Sequence, residues 1–371
     1  MASGLSGQDM RHRYAGKTMK GSFFSDTLEE LFKGSPIRHI HPTDRIVVFS
    51  DLHLGDGGES DDFRRNADLC TRVLTEYYLE RNYILVLNGD IEDLQKFSMK
   101  KIERRWGALF ELFSSFNERT ELFKIVGNHD IHLISRKEHV LPLEPFLSLR
   151  LNVRGNTIFI FHGHQASLFY QRFNYIDGFL LRYFAQPMGI MYYSVAQDSA
   201  KRFKVEKRVY DFSTKQKILS IIGHTHRPLF ESFSKIDSTK FKIEQLCRSF
   251  INARDGEKKS IERDIKFYRF ELQAIYEKGI KNGSRSSLYN SNLLVPCLFN
   301  SGCAIGKRGI TAIEIEDNKI ALVYWFDRAR EEKHFSHNEQ PIEQLGRSSY
   351  YRMVLKRDCL SYIFTRINLL T

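Results

Sequence analysis

Five short segments of this 371-residue chain carry Asp, Asn and His in close spacing, and each follows an apolar run. They are Asp51-Leu52-His53, Gly89-Asp90, Gly127-Asn128-His129-Asp130, His162-Gly163-His164 and Gly223-His224-Thr225-His226. The runs before them, residues 45–50, 83–87, 123–126, 157–161 and 217–222, are short and rich in Val, Ile, Leu and Phe, which predicts buried strands. Residues of metal-ligand type therefore fall on loops at strand ends, where α/β sheets place their sites. Between the strands, Phe63, Ala67, Cys70, Leu74, Tyr77 and Tyr78 recur at helical spacing, as do Ile102, Trp106, Leu109, Phe110 and Phe113. Strands alternating with helices predict the α/β class.

The donor types select the chemistry. Carboxylate oxygen, amide oxygen and imidazole nitrogen together suit borderline first-row cations, and no block offers the thiolate typical of a structural zinc site. Seven donors exceed what one tetrahedral ion takes, whereas two adjacent ions sharing a carboxylate use them all. Two ions about 3.5–4 Å apart clamp both oxygens of an in-line displacement at phosphorus and bring the pKa of a bridging water towards 7. The expected reaction is hydrolysis of a phosphoester or phosphoanhydride.

The five blocks, in this order, resemble the calcineurin-like metallophosphoesterases, whose pattern is D-x-H, G-D, G-N-H-[DE], a lone His and G-H-x-H. The resemblance covers residues 45–227 and, more loosely, 294–327. It implies a two-sheet sandwich flanked by helices, with Asp51, His53 and His226 on one metal, Asn128, His162 and His224 on the other, and Asp90 bridging them. It also implies that His129 is not a ligand but protonates the leaving oxygen or stabilises charge on the phosphoryl group. Asp93, three residues after Asp90, would orient that histidine. The mechanism implied is in-line attack by a hydroxide that bridges two divalent ions. Manganese is the first choice, with iron or zinc as alternatives at either position.

Other polar residues near the blocks have competing readings. His164 follows the inferred ligand His162 by two positions, and a substrate or supporting role suits it better than direct ligation. Arg227 could clamp a phosphate oxygen in a bidentate contact or form a structural ion pair, and the two are weighed equally. His39, His41, His132, His139, His334 and His337 read as solvated residues.

Domain boundaries follow from the same pattern. Residues 1–40 read as a flexible lead-in, 41–328 as the catalytic domain and 329–371 as a basic amphipathic tail. Two insertions stand out within the catalytic part. Residues 165–215 are dense in Phe and Tyr and predict a helical cap, with Arg172 and Arg182 as candidate substrate contacts. Residues 231–292 predict a long amphipathic helix whose stripe is Ile261, Ile265, Tyr268, Leu272, Ile275 and Tyr276, with Ser260 near its start and Gly279 near its stop. Residues 309–315 and 319–325 alternate like a hairpin with Asp317-Asn318 at the turn.

Charge and apolar patterning narrow the substrate. Fifty-six Lys and Arg against 45 Asp and Glu leave +11, a field that concentrates anions: a nucleotide conjugate, a phospholipid head group or a nucleic acid. An aromatic cap interleaved with arginines favours an amphiphile, and the layout resembles that of the UDP-2,3-diacylglucosamine hydrolases. Those enzymes show H-G-D at the fourth block, where this chain has His162-Gly163-His164. A nuclease is the first alternative; a small-molecule phosphatase or cyclic-nucleotide phosphodiesterase is the second. A non-catalytic scaffold on the same fold ranks last, because every ligand type and His129 are retained. Five scattered cysteines read as reduced thiols, and no run is long and apolar enough to span a bilayer. The expected location is cytoplasmic, with peripheral membrane contact through the cap or tail.

Overall fold

A computed structural model describes residues 27–135, 140–141, 143–167, 199–232, 239, 243, 246–247, 249–251, 253, 255–281, 295–331 and 342–371. The chain divides into two compact units, the larger formed by residues 1–230 and 296–369 and the smaller by 231–295. No helix among the described residues is long and apolar enough to cross a membrane.

In the larger unit, the short apolar runs become strands of two sheets, as the alternating pattern predicts. One sheet has the order β1 (Ile37–His39), β5 (Ser148–Val153), β6 (Asn156–Phe161), β7 (Leu219–Ile222) and β8 (Leu298–Asn300). The other has the order β11 (Ile342–Gln344), β12 (Tyr350–Cys359), β10 (Lys319–Asp327), β9 (Gly309–Glu316), β2 (Ile46–Phe49), β3 (Ile84–Asn88) and β4 (Leu122–Ile125). Parallel pairing joins β2 to β3 and β3 to β4 in one sheet, and β6 to β7 and β7 to β8 in the other. Every residue of β2, β3 and β7 is buried, as parallel strands covered on both faces require. The carboxyl ends of each parallel set point the same way, so their following loops gather at one edge.

Helices cover the sheets. Helix α1 spans residues 27–34. The helical segment Asp62–Leu79 (α2) starts as a 3-10 turn, is α-helical at Ala67–Arg72 and ends as a π-helix, and it buries Phe63, Cys70, Leu74 and Tyr78. Helix α3 (Met99–Arg119) buries Ile102, Trp106, Leu109, Phe110 and Phe113, the stripe its spacing predicts. Helix α4 (Ser199–Gln216) is the described part of the expected cap, and it buries Val205, Val209, Tyr210 and Phe212. Residues 168–198, with Arg172 and Arg182, lie outside the described residues. The smaller unit contains α5 (Asp255–Lys281), where Ile261 is buried and Ile265, Tyr268 and Leu272 are half-buried.

The hairpin forms as expected: Asp317 and Asn318 have φ of 48° and 60°, the paired positive values that match a tight turn to strand twist. Two expected boundaries need correction. The lead-in does not extend to residue 40, because Leu28 is buried, Phe32 meets Phe159 edge-on at 5.2 Å, and β1 pairs with β5. Nor is 329–371 a separate tail, since β12 pairs with β10 along its whole length. A bulge explains the misreading. Leu322 faces Lys356 and Val323 faces Val354, so Leu355 is the extra residue and the two-residue alternation breaks there. Tyr351, Val354 and Leu355 are thus left at spacings that imitate a helix. Helix α6 (Leu360–Leu370) follows, with Leu360, Ile363, Phe364 and Ile367 buried, so its apolar stripe is consumed by the fold.

Candidate metal centre

Each of the five blocks sits at the end of a parallel strand: Asp51 beyond β2, Asp90 beyond β3, Asn128 and His129 beyond β4, His162 beyond β6, and His224 and His226 beyond β7. Asp51, His53, Asp90, His224 and His226 all have φ between 50° and 61°, a left-handed backbone that a side chain with a Cβ adopts at a cost. Such strain persists where the surroundings over-determine it, and it clusters at functional sites. The hydrogen bonds that over-determine it are visible. Asp51 N donates to Gly89 O at 3.0 Å and His53 N to Asp90 O at 2.9 Å, while His224 N donates to the Asp51 carboxylate at 3.0 and 3.2 Å. Gly223 permits that last approach, because a Cβ there would stand 2.5 Å from Asp51 Oδ2.

The side chains converge in overlapping groups. Asp51, His53 and His226 form one set and Asp90, His162 and His224 another, while His53, Asp90 and His129 form a third that overlaps both; within each set the donor atoms lie within 4.8 Å of one another. His226 Nε2 is 3.0 Å from Asp51 Oδ1, and His162 Nε2 is 3.0 Å from Asp90 Oδ2. Asp90 also stands 4.0 Å from His53 Nε2, so one carboxylate faces both sets. The first two are groupings that the resemblance implies, whereas the third includes His129, and each of the three could hold a cation. The donor atoms also pass a chemical test of that fit. His224 Nε2 and Asn128 Oδ1 are buried without a hydrogen-bond partner, an arrangement that is costly unless something else takes their lone pairs.

Protonation points the same way. Burial and the neighbouring His129 push the His53 pKa down to about 4, and burial with His162 pushes His224 down to about 3, so both rings keep a free lone pair near neutrality. His162 behaves differently: burial opposes its charge, but Asp90 and Asp51 outweigh burial and lift it to about 10. Its Nδ1 lies 2.9 Å from the Asn88 carbonyl, which fixes the ring with Nε2 towards Asp90. Burial also opposes ionisation of Asp90, yet His162 and His129 hold its pKa well below the usual carboxylate range.

His129 joins only the overlapping set, with His53 and Asp90. Its Nδ1 is 2.8 Å from Asp93 Oδ1, and its Nε2, 4.0 Å from Asp90 Oδ2, faces the cluster. Burial works against its charged form, but Asp90 and the bond to Asp93 raise its pKa above the ordinary histidine value. Lys96 Nζ, 3.0 Å from Asp93 Oδ2, anchors the far side of that carboxylate. His164 is buried with its ring 5.5 Å from that of His162 and 6.2 Å from that of His224, and it belongs to neither ligand set. Arg227 bonds through Nε and Nη2 to Glu206, which is buried on α4 and also accepts from Thr225 Oγ1 at 3.0 Å. Its guanidinium is thus committed to an ion pair that sequence alone could not choose.

Several supporting residues escaped the sequence reading. Asp130 accepts from Gly127 N at 2.5 Å and from Ile91 N at 2.8 Å, tying the loop of His129 to the loop of Asp90. Burial, with the nearby carboxylates of Glu92 and Asp90, raises its pKa to about 7. Glu92 pairs with the buried Lys124 of β4 directly beneath. Asn300, at the end of β8, donates to Gly223 O and Thr225 Oγ1, both at 2.9 Å, and so braces the loop of His224 and His226. The signal that could have found Asp130 was its place in the third block; Asn300 and Lys124 carried none, because each acts through a partner distant in sequence.

Residues 44–235, more than half of the chain, match the calcineurin-like phosphoesterase family. No curated protein matches the chain. Among solved structures, a predicted phosphoesterase from Streptococcus pneumoniae is similar at 12% identity, covering 77% of this chain and 91% of that one, with a TM-score of 0.29. Vacuolar protein sorting 29 from Cryptosporidium parvum is similar at 10% identity over 77% of this chain and 92% of that one, with a TM-score of 0.33. A single mutant of Vps29 from Entamoeba histolytica is similar at 10% identity over 76% and 92%, with a TM-score of 0.30.

Proposed function

Because this chain belongs to the calcineurin-like phosphoesterases, we propose that it hydrolyses a phosphodiester or pyrophosphate bond with two divalent cations. Asp51, His53 and His226 would hold one and Asn128, His162 and His224 the other, with Asp90 facing both groups. The observation that carries this reading is the pair of orphaned buried atoms, His224 Nε2 and Asn128 Oδ1, beside a carboxylate that faces both groups. When bound, the cations polarise the phosphoryl oxygens and acidify water. Manganese is the proposed ion, and iron or zinc also suits the donor set.

The residues of the chain supply the rest. His129 presents Nε2 to the site while Asp93 holds Nδ1, so the ring's orientation is set and Nε2 carries the proton delivered to the leaving oxygen. Its raised pKa keeps that proton available near neutrality. Asp130 keeps the two loops in register, which fixes His129 relative to Asp90. The ion pair with Glu206 leaves Arg227 a bracing role beside the last block rather than a phosphate contact.

The substrate is proposed to be an anionic amphiphile or nucleotide conjugate of the UDP-diacylglucosamine kind. The net charge of +11 and the aromatic, arginine-bearing segment 165–215 support that choice. The test is to load purified protein with manganese and compare a UDP-linked lipid, a simple phosphodiester, a phosphomonoester and single-stranded DNA. Preference for the lipid conjugate is expected. Faster cleavage of DNA would move the assignment to a nuclease, and tight metal binding with no turnover of any of the four would overturn catalysis.

A further inference from the structure

In the smaller unit, α5 carries a second apolar feature on the side away from its predicted stripe. Phe267 and Phe270 are 61% and 74% exposed, although Ile261, Ile265, Tyr268 and Leu272 already provide the inward face. With 3.6 residues per turn, the two rings stand about 60° apart around the axis, and Arg263 falls between them. Lys259 and Lys266 lie within about 40° of Phe270 on the same arc. All three cationic side chains are exposed. The flanking carboxylates, Glu262 on one side and Glu271 on the other, lie outside this arc, so between Lys259 and Phe270 it presents only positive charge and aromatic surface.

We propose that this face of α5 docks on an anionic lipid surface. A helix of 27 residues is about 40 Å long, enough to lie in the plane of a bilayer interface. In that pose two neighbouring rings enter the boundary of head groups and acyl chains, while Lys259, Arg263 and Lys266 reach lipid phosphates at the same depth. Charge complementarity selects the lipid: a neutral surface gives the three cations nothing to meet. A single-stranded nucleic acid fits less well, because base stacking uses aromatic platforms within a basic groove that tracks the backbone, whereas these rings stand on a convex helix. This contact face is neither the stripe that the sequence singled out nor that of α6, where Leu360, Ile363, Phe364 and Ile367 are buried. The proposal does not depend on the phosphoesterase reading.

The test uses the full chain in co-sedimentation with vesicles of phosphatidylcholine, alone or mixed with phosphatidylglycerol. Binding to the mixed vesicles and not to the neutral ones is expected. Each basic residue near such a surface contributes about fivefold, so replacing Lys259, Arg263 and Lys266 together with Gln should weaken binding on the order of 100-fold. Replacing Phe267 and Phe270 with Ser should weaken it roughly 10-fold or more, since apolar insertion is lost while charge is kept. All five side chains are exposed, so the thermal midpoint should stay unchanged in both variants. Failure of the unmodified chain to sediment with anionic vesicles would overturn the proposal. So would equal binding by both variants, or variants that lose affinity for single-stranded RNA while still binding vesicles.

Discussion

Two clusters of buried charge lie in the larger unit, and they differ in whether their polar atoms are satisfied. Around Glu314 of β9, Tyr78 donates to Oε1 at 2.8 Å, Arg352 of β12 bonds to both carboxylate oxygens, and Trp325 donates to Tyr78 Oη at 2.9 Å. Around Asp90, by contrast, His224 and Asn128 each keep an orphaned atom. The first network is closed and so serves the fold; the second is open and so awaits a ligand. Buried charge alone does not mark a functional site, whereas unmet hydrogen-bonding capacity does.

The comparison can be broken at its strongest point first. Asp90→Asn should lower turnover on the order of 10³-fold, since several kcal/mol of charge stabilisation pass through the cations that this carboxylate holds. Metal content by elemental analysis should fall with it, and full occupancy in the variant would show that Asp90 is not the shared ligand. Glu314→Gln probes the closed network, because it leaves the buried Arg352 charge with only the half-exposed Glu343, 3.4 Å away, as counterion. A loss of about 3–5 kcal/mol in urea unfolding is expected, with metal content unchanged in the protein that remains folded. Loss of metal there would mean that the two clusters are coupled.

His129→Ala sharpens the distinction inside the site itself. Turnover of substrates with poor leaving groups should drop about 10²-fold or more while metal content holds. Undiminished activity on such substrates would remove the proton-delivery role. The smallest effect concerns pH. Without metal, His162 carries a proton up to about pH 10, and ligation requires the neutral ring, so metal uptake near neutrality releases that proton. Affinity should rise by up to about tenfold per pH unit between pH 6 and 9, and calorimetry in buffers of different ionisation enthalpy should count roughly one proton released. A pH-independent affinity would place His162 outside the coordination sphere.

Much of the larger unit was legible because its signals are local. The runs before Asp51, Asp90, Asn128, His162 and His224 became strands within a few residues of their predicted limits, and the stripes at 63–78 and 102–113 became helices. Where the sequence misled, the cause was a distant partner. Leu355 broke the alternation of β12 only because it bulges against β10, and residues 28–39 read as a loose lead-in because their packing on β5 and β6 is invisible in a short polar segment. Within the site, the blocks named the donors but not their braces. Asp130 looked like one more acidic residue, and Arg227 could have faced either phosphate or carboxylate until Glu206, 21 residues earlier, was seen beside it.

The order and chemical type of the metal donors, and their delivery at strand ends, were written in the chain itself, since each depends on neighbours a few residues away. Tertiary structure decided which donors share a group, which buried atoms stay unmet, and which face of α5 remains exposed. Those properties arise only when loops separated by as many as 173 residues come within hydrogen-bonding distance, as His224 does with Asp51.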